Sequence, residues 1–183
     1  MHFANMFRIV LLVVMISGCG NTMDDLNPSG VDQRPAVQGG TIGPAVSQRA
    51  PDFTLFDSLG NSLTLSSVPA STKGVVLYFT MWCPICDIHM SSMRNNVIPL
   101  YPNVRFCLID YVSGSLTDAR NAEISNGYGA SKFTLLADTN QAVLGAYAAT
   151  MGTTVVIDST GIIRMSEDYK DGVRLTEILG SLP

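Results

Sequence analysis

Apolar and polar positions along the chain alternate in some stretches and run on in others, and the two patterns separate strands from helices. Residues 53–56 and 63–65 alternate on either side of Asp57-Ser58-Leu59-Gly60-Asn61, which predicts a hairpin. Residues 74–80, G-V-V-L-Y-F-T, form a nearly continuous apolar run, as expected of a strand buried on both faces. After it, Cys86, Met90, Met93, Val97 and Leu100 recur at steps of four, three, four and three, the stripe of a helix. Pro99 predicts the end of that helix or a kink in it. A second buried strand is expected over 104–110, then a helix over 116–128 closed near Gly127 or Gly129. A short strand over 133–136 and a helix over 141–147 follow. Residues 153–158 and 161–165 pair as a hairpin across Ser159-Thr160, and 175–182 close the chain as a helix. Strands alternating with helices, ending in an antiparallel pair, predict an α/β class built on a mixed sheet.

The front of the chain follows a different logic. Residues 9–16 read I-V-L-L-V-V-M-I, with Arg8 just ahead as the only formal charge before Asp24. A positive start, a short apolar core and small residues at its end make a secretory signal peptide over 1–18. The run is too short to span a bilayer as a helix, which takes roughly 20 residues. Ile16-Ser17-Gly18-Cys19 resembles the lipobox of bacterial lipoproteins, which implies that Cys19 is lipidated and becomes the new N-terminus. An ordinary signal peptide that ends near a cysteine is the alternative. Gly20 stands where inner-membrane retention in such lipoproteins usually calls for Asp, so the resemblance favours the outer membrane. Residues 20–49 are polar, Pro- and Gly-bearing and aperiodic, which predicts a flexible tether spanning on the order of 30 Å. The expected organisation is a leader over 1–18, the lipidated Cys19 with its linker over 19–49, and one domain over 50–183.

Composition narrows the function. Of 183 residues, 46% are apolar and 14% charged, which excludes a charged disordered chain. Eleven Lys+Arg stand against 15 Asp+Glu with no basic cluster, so the chain has no footprint for nucleic acid.

The chemistry concentrates in Cys83-Pro84-Ile85-Cys86, where the buried strand gives way to the helical stripe. The first turn of a helix offers unpaired N–H groups and a partial positive charge, which favour a thiolate. Cys83 is therefore the candidate nucleophile, expected with its pKa pulled below the ordinary thiol value. Cys86, one turn further on the apolar stripe, is placed to resolve a mixed disulfide formed at Cys83. Pro84 suits the first helical position because it has no N–H to give. A C-x-x-C pair is also half of a zinc site, but such a site needs four ligands, and Cys107 and His89 supply no second close pair. Cys107 reads as a buried thiol in mid-strand. Met90 and Met93 fall on the apolar stripe, so with His89 they read as packing before they read as a copper site. Asp87 adds favourable charge to the first turn. No cofactor and no metal are called for.

Several segments together resemble the redoxin superfamily. Residues 50–68, A-P-D-F-T-L-F-D-S-L-G-N-S-L-T-L-S-S-V, are similar to its opening hairpin. G-V-V-L-Y-F-T-M-W-C-P-I-C is similar to its strand and active-site segment, including Trp82 before the first cysteine. F-T-L-L-A-D at 133–138 and G-T-T-V-V-I-D-S-T-G-I-I-R at 152–164 are similar to its later strands. The closest pattern is that of TlpA/ResA-type, membrane-tethered, thioredoxin-like proteins. The resemblance implies a thioredoxin-like fold with an added N-terminal hairpin. It also implies dithiol–disulfide exchange outside the cytoplasm, in the direction of reduction, with protein clients and an upstream membrane electron donor as partners. Trp82, Pro84, Ile85, Gly152 and Thr153 are then the surroundings of the two cysteines.

The pattern is departed from in three places. Gly152 precedes Thr153 where family members carry a cis-proline, and a cis bond without proline costs about 2.5–4 kcal/mol, so a trans peptide is expected. Leu77 stands six residues before Cys83, where thioredoxins proper have a buried Asp. His89 stands three residues after Cys86, where ResA-type proteins tend to carry Glu, close enough to take a proton from Cys86 or to hold a water that does. F-T-M-W-C-P also resembles the peroxiredoxin segment F-T-x-x-C-P, so a thiol peroxidase is an alternative. Val76 replaces its Pro, and 149–152 lack its Arg. A metal-handling or chaperone-like module using the same thiols is the other.

Overall fold

A computed structural model describes residues 36–68 and 71–183 of the chain; the leader, Cys19, Gly20 and most of the expected tether lie outside the described residues. Seven strands are ordered β2-β1-β5-β4-β3-β6-β7 in one sheet. They are β1 (Thr54–Asp57), β2 (Ser62–Thr64), β3 (Gly74–Thr80), β4 (Val104–Asp110), β5 (Thr134–Ala137), β6 (Thr153–Asp158) and β7 (Ile163–Asp168). The central three, β3, β4 and β5, are parallel, while β6, β7, β1 and β2 run antiparallel to their neighbours. The sheet is mixed, as the order of elements predicts.

β3 is the axis of the structure because all seven of its residues are buried. Alternation along it loads both faces. Val76 and Tyr78 point into a core with Cys86, Met90, Met93 and Val97, whereas Val75, Leu77 and Phe79 point into a second core with Cys107, Leu136, Val143 and Tyr147. Gly74 opens the strand where no side chain fits: a Cβ there would lie 2.7 Å from the Ile157 carbonyl oxygen.

Among the described residues four helices cover the faces: α1 (Pro84–Ser92), α2 (Leu116–Ser125), α3 (Ala142–Ala146) and α4 (Val173–Gly180). The helical stripe expected through Leu100 changes character at Met93. There the backbone widens into a π turn over Met93–Val97, closed by Ile98 N–H on the Met93 carbonyl, and then tightens into a 3-10 turn over Ile98–Leu100. Pro99 accounts for the change, since it has no N–H and its ring crowds the carbonyl four residues back. α2 starts at a Ser115 cap whose Oγ accepts from Asp118 N–H at 3.1 Å, and it ends at Ser125, three residues earlier than expected. Gly127, at φ +78°, turns the chain away. Gln141 adopts φ +57° and so caps α3 from outside rather than beginning it.

The end of the expected tether is not free. Ser47 N–H donates to the Ile163 carbonyl at 2.9 Å, Ile163 N–H returns a bond to Gln48 at 2.9 Å, and Ala50 N–H reaches Gly161. Residues 47–50 thus pair along the start of β7, an arrangement invisible in a polar stretch without period. The Tyr147 hydroxyl, buried on the same side of the sheet, donates to the Pro51 carbonyl at 2.8 Å. A chain that starts at residue 50 forfeits the two Ser47–Ile163 and Ile163–Gln48 bonds. It should be less stable than one starting at residue 37 by about 1–3 kcal/mol. Urea denaturation of the two forms measures this, and equal midpoints would show that the segment holds nothing.

Candidate active site

The site is assembled where β3 stops and α1 starts. Between them Met81, Trp82 and Cys83 make a sharp turn in which Trp82 takes φ +59°, the left-handed region that a bulky residue enters only when its surroundings hold it. Three contacts hold it. Its N–H donates to Thr80 Oγ1 at 3.2 Å, its indole Nε1–H donates to Asp110 Oδ2 at 2.8 Å, and its ring lies 6.4 Å from that of Tyr128. Asp110 can do this because β4 pairs in register with β3, setting Asp110 beside Thr80. The carboxylate is fully buried and also accepts from Val112 N–H, Ser113 N–H and the Ser113 hydroxyl at 2.6–3.1 Å.

Cys83 is the N-cap of α1, and its Sγ accepts from the Cys86 N–H at 3.2 Å. Pro84 occupies the first helical position, as expected. The two sulfurs lie 2.8 Å apart as free thiols. They differ in access: Cys83 is half-buried, whereas Cys86 is 0% exposed. Met81, Ile85 and Ile88, which flank the two cysteines in the chain, stand exposed.

At this distance the thiols titrate as a pair. Burial opposes the Cys86 thiolate, but the Cys83 S–H, the backbone N–H groups of Met81 and Cys83 and the Thr80 hydroxyl outweigh it and set Cys86 below the ordinary thiol range. Burial, together with the proton that Cys83 donates into the pair, pushes Cys83 up. The helix start is thus not the whole environment of Cys83: burial and the neighbouring sulfur oppose its charge, while the Cys86 N–H favours it. The pair shares protons between its sulfurs, and attack by Cys83 draws on the form in which that sulfur carries the charge. The Cys86 N–H and the helix N-terminus then steady the charge left on Cys83.

His89 lies on the same side of the sheet, with Nδ1 2.9 Å from the Tyr78 hydroxyl and its ring 4.8 Å from that of Tyr169. Burial lowers its pKa, against the pull of the Asp168 charge. Gly152 sits beside it at φ +87°; its N–H donates to the Phe79 carbonyl at 3.0 Å and its carbonyl accepts from Tyr169 N–H at 2.9 Å. Among the described residues no peptide bond is cis, so Gly152 is trans. A Cβ there would lie 3.8 Å from the His89 ring, which brings this turn against the histidine. Thr153 Oγ1 accepts from Thr150 N–H at 3.0 Å and donates to Asp168 at 3.1 Å, fixing the turn ahead of β6. Asp87 accepts a 2.6 Å bond from Tyr128, whose hydroxyl is pushed up to about 12 by burial and by that carboxylate.

The model of the AhpC/TSA family matches residues 46–166. The chain belongs to the AhpC/TSA family. Solved structures share its thioredoxin-like fold. MTB DsbF in mixed oxidised and reduced forms is 22% identical, covering 72% of this chain and 95% of its own, with a TM-score of 0.60. A secreted Mycobacterium tuberculosis disulfide oxidoreductase homologous to E. coli DsbE is 21% identical, covering 71% and 96%, with a TM-score of 0.56. A thioredoxin-like protein from Aeropyrum pernix is 15% identical, covering 71% and 89%, with a TM-score of 0.58. No curated protein sequence matches the chain.

In this AhpC/TSA chain the remaining candidates fall away from the thiol pair. Cys107 is fully buried on the opposite face of the sheet, its pKa pushed up to about 12 by burial. Met90 and Met93 are packed in the core beneath α1. Among the described residues no His, Cys, Asp or Glu cluster could hold a metal. Two residues escaped the sequence reading. Asp110 sits 27 positions beyond Cys83 in the chain and is tied to it only through sheet register. Tyr78 was passed over because counting back six residues from Cys83 leads to Leu77, which points into the other core. Alternation along β3 was the usable signal, since it places 76 and 78, and not 77, on the side of the helical stripe.

Replacing Asp110 with Ala takes the acceptor from four donors, two of them on the buried Ser113 and each of those worth about 1–3 kcal/mol when left unpaired. Asp110→Ala should lower stability by about 3 kcal/mol or more and shift Trp82 emission to the red. A variant with unchanged melting and emission would show that Trp82 is held by other means.

Proposed function

We propose that the chain is an extracytoplasmic thiol–disulfide oxidoreductase that reduces protein disulfides, with Cys83 attacking and Cys86 resolving. The observation that carries this reading is the inequality of the two sulfurs: one reachable from solvent at a helix start, the other fully buried 2.8 Å behind it. A client disulfide can meet only the first. The Cys83 thiolate attacks one client sulfur, the client S–S bond breaks, and the second client sulfur leaves as a thiolate. A mixed disulfide then links Cys83 to the client. Attack of the Cys86 thiolate on Cys83 forms the Cys83–Cys86 bond and releases the first client sulfur. The client is reduced by two electrons and the pair oxidised by two. An electron donor at the membrane returns the pair to its dithiol state.

The exposed Met81, Ile85 and Ile88 suit unfolded or extended clients, which present apolar side chains beside their cysteines. The leader over 1–18 and a lipidated Cys19 support a domain held on a membrane and facing the periplasm or the cell exterior, with Gly20 favouring the outer membrane where there are two. There, secreted clients carry their disulfides. The neighbour described as a secreted disulfide oxidoreductase supports an exported site of action. Reduction rather than oxidation follows from the TlpA/ResA-type pattern of the sequence.

The test uses a trap. Cys86→Ser should accumulate mixed disulfides between Cys83 and envelope proteins, while Cys83→Ser captures none and loses insulin reduction entirely. A wild-type chain that leaves insulin oxidised but consumes peroxide, with that activity lost in Cys83→Ser, would replace this reading with a peroxidase. Tight Cu(I) or Zn²⁺ binding without exchange would replace it with a metal-handling module.

A further inference from the structure

Gly152 leaves the thiol end of the fold with a turn that its own residue does not fix. A glycine backbone is freer than any other, and Gly152 holds φ +87° where a proline ring would lock the angle. Yet this turn flanks the reactive segment. β6 pairs with β3 as far as Thr154 beside Tyr78, and beyond that pair the Gly152 N–H donates to the Phe79 carbonyl, four residues before Cys83. On its other side the turn meets α1, where a Cβ on Gly152 would lie 3.8 Å from the His89 ring. Met151 packs on the core that also carries Trp82 and Cys83. A protein client that reaches the half-buried Cys83 therefore has this turn as one wall of its approach. We propose that Tyr169, the residue after β7, is a positioning residue that pins the Gly152 turn against α1 and so prepares the approach to Cys83. This rests on the oxidoreductase reading and names a residue that shapes its client side.

Tyr169 holds the turn at three points. Its backbone N–H donates to the Gly152 carbonyl at 2.9 Å, an oxygen that also accepts from the Thr154 hydroxyl at 3.2 Å. Its buried ring lies 4.8 Å from that of His89 and 6.3 Å from that of Tyr78, edge-on to the latter. Its hydroxyl donates to Ser92 Oγ at 2.9 Å. Ser92 is the last residue of α1 before the backbone widens into the π turn, so the bond reaches the regular part of the helix that carries both thiols. Space has been left for this hydroxyl. Gly172, ahead of α4, holds φ +84°, and a Cβ there would lie 2.6 Å from the Tyr169 oxygen. Burial pushes the hydroxyl up, so it stays protonated and donates.

The consequence is a wall set before the client arrives. Both backbone groups of Gly152 are engaged, the N–H toward β3 and the carbonyl toward Tyr169. The first bond belongs to the sheet. The second depends on a residue outside any strand or helix, whose backbone stays aligned because its side chain is anchored on α1. Without that anchor, glycine's freedom returns and the turn has to be ordered at the expense of client binding. The thiols themselves sit in the first turn of α1, one on its N-cap, and their spacing does not involve Tyr169. Loss of the anchor therefore weakens the hold on a client more than it slows exchange once the client is in place.

The pre-reduced full chain, mixed with a disulfide-linked model peptide in increasing excess and quenched in acid, gives a half-saturating concentration and a limiting rate. Tyr169→Phe keeps the ring and removes the bond to Ser92. It should raise the half-saturating concentration about fivefold, the size of one lost hydrogen bond, and change the limiting rate by less than about twofold. Ser92→Ala should do the same, and the double variant should go no further than the larger single effect, because both remove one bond. An unmoved half-saturating concentration, a loss that falls on the limiting rate instead, or a double variant whose loss is the product of the two overturns the proposal. A second readout needs no client. In native-state hydrogen exchange, the Gly152 and Tyr169 amides of Tyr169→Phe should exchange about tenfold faster than in wild type, relative to the Leu77 amide within β3. Acceleration equal at all three amides, or at none, overturns the proposal. A wild-type chain that reduces no disulfide, while those two amides still respond, overturns the oxidoreductase reading and leaves the link between turn and helix standing.

Discussion

Everything at the site depends on one hydrogen bond, from the Cys86 N–H to the Cys83 sulfur. It exists because a fully buried strand ends four residues before a helix begins, and because the turn between them is forced into a left-handed residue. Trp82 bears that strain, which is of the kind worth about 1–3 kcal/mol. Asp110 offsets it by holding the indole from the neighbouring strand. Loosen either and the N-cap opens, the sulfurs separate and the difference in access between them is lost. The sheet therefore acts as the frame that keeps a strained turn in place, and β3 is buried along its whole length for that reason as much as for stability.

Two sulfurs at 2.8 Å cannot both be charged, so they divide the work by environment. Cys86 gathers the donors and Cys83 the solvent. The result is a pair in which the proton must move for either to react. Access decides which sulfur meets a client, and hydrogen bonding decides how the two share their protons.

Much of the framework was legible from periodicity. The run over 74–80 and the hairpin around Asp57–Asn61 are strong patterns that became the elements they foretold, and the stripe from Cys86 became an α-helix as far as Ser92. The C-P-I-C segment was legible because its place between strand and helix carries its own chemistry. What escaped was the part set by register across the sheet. Asp110 is one of several acids in the sequence until β4 is laid beside β3. Tyr78 is an ordinary apolar strand residue until the faces are sorted. The pairing of 47–50 with β7 is a matter of backbone hydrogen bonds, to which side-chain patterns are blind. The π turn at Met93 needed Pro99 to be read backwards, as a cause acting on the turn before it.

The account requires Cys83 and Cys86 to form one two-electron couple while Cys107 stays out of it. The direct measurement equilibrates the full chain in thiol–disulfide buffers of graded potential, quenches it in acid, alkylates it and weighs the peptides that carry each cysteine. Cys83 and Cys86 should lose alkylation together in a single two-electron transition, with Cys107 alkylated at every potential once the chain is unfolded. Oxidation of Cys83 alone, with Cys86 still a free thiol across the range, would contradict it.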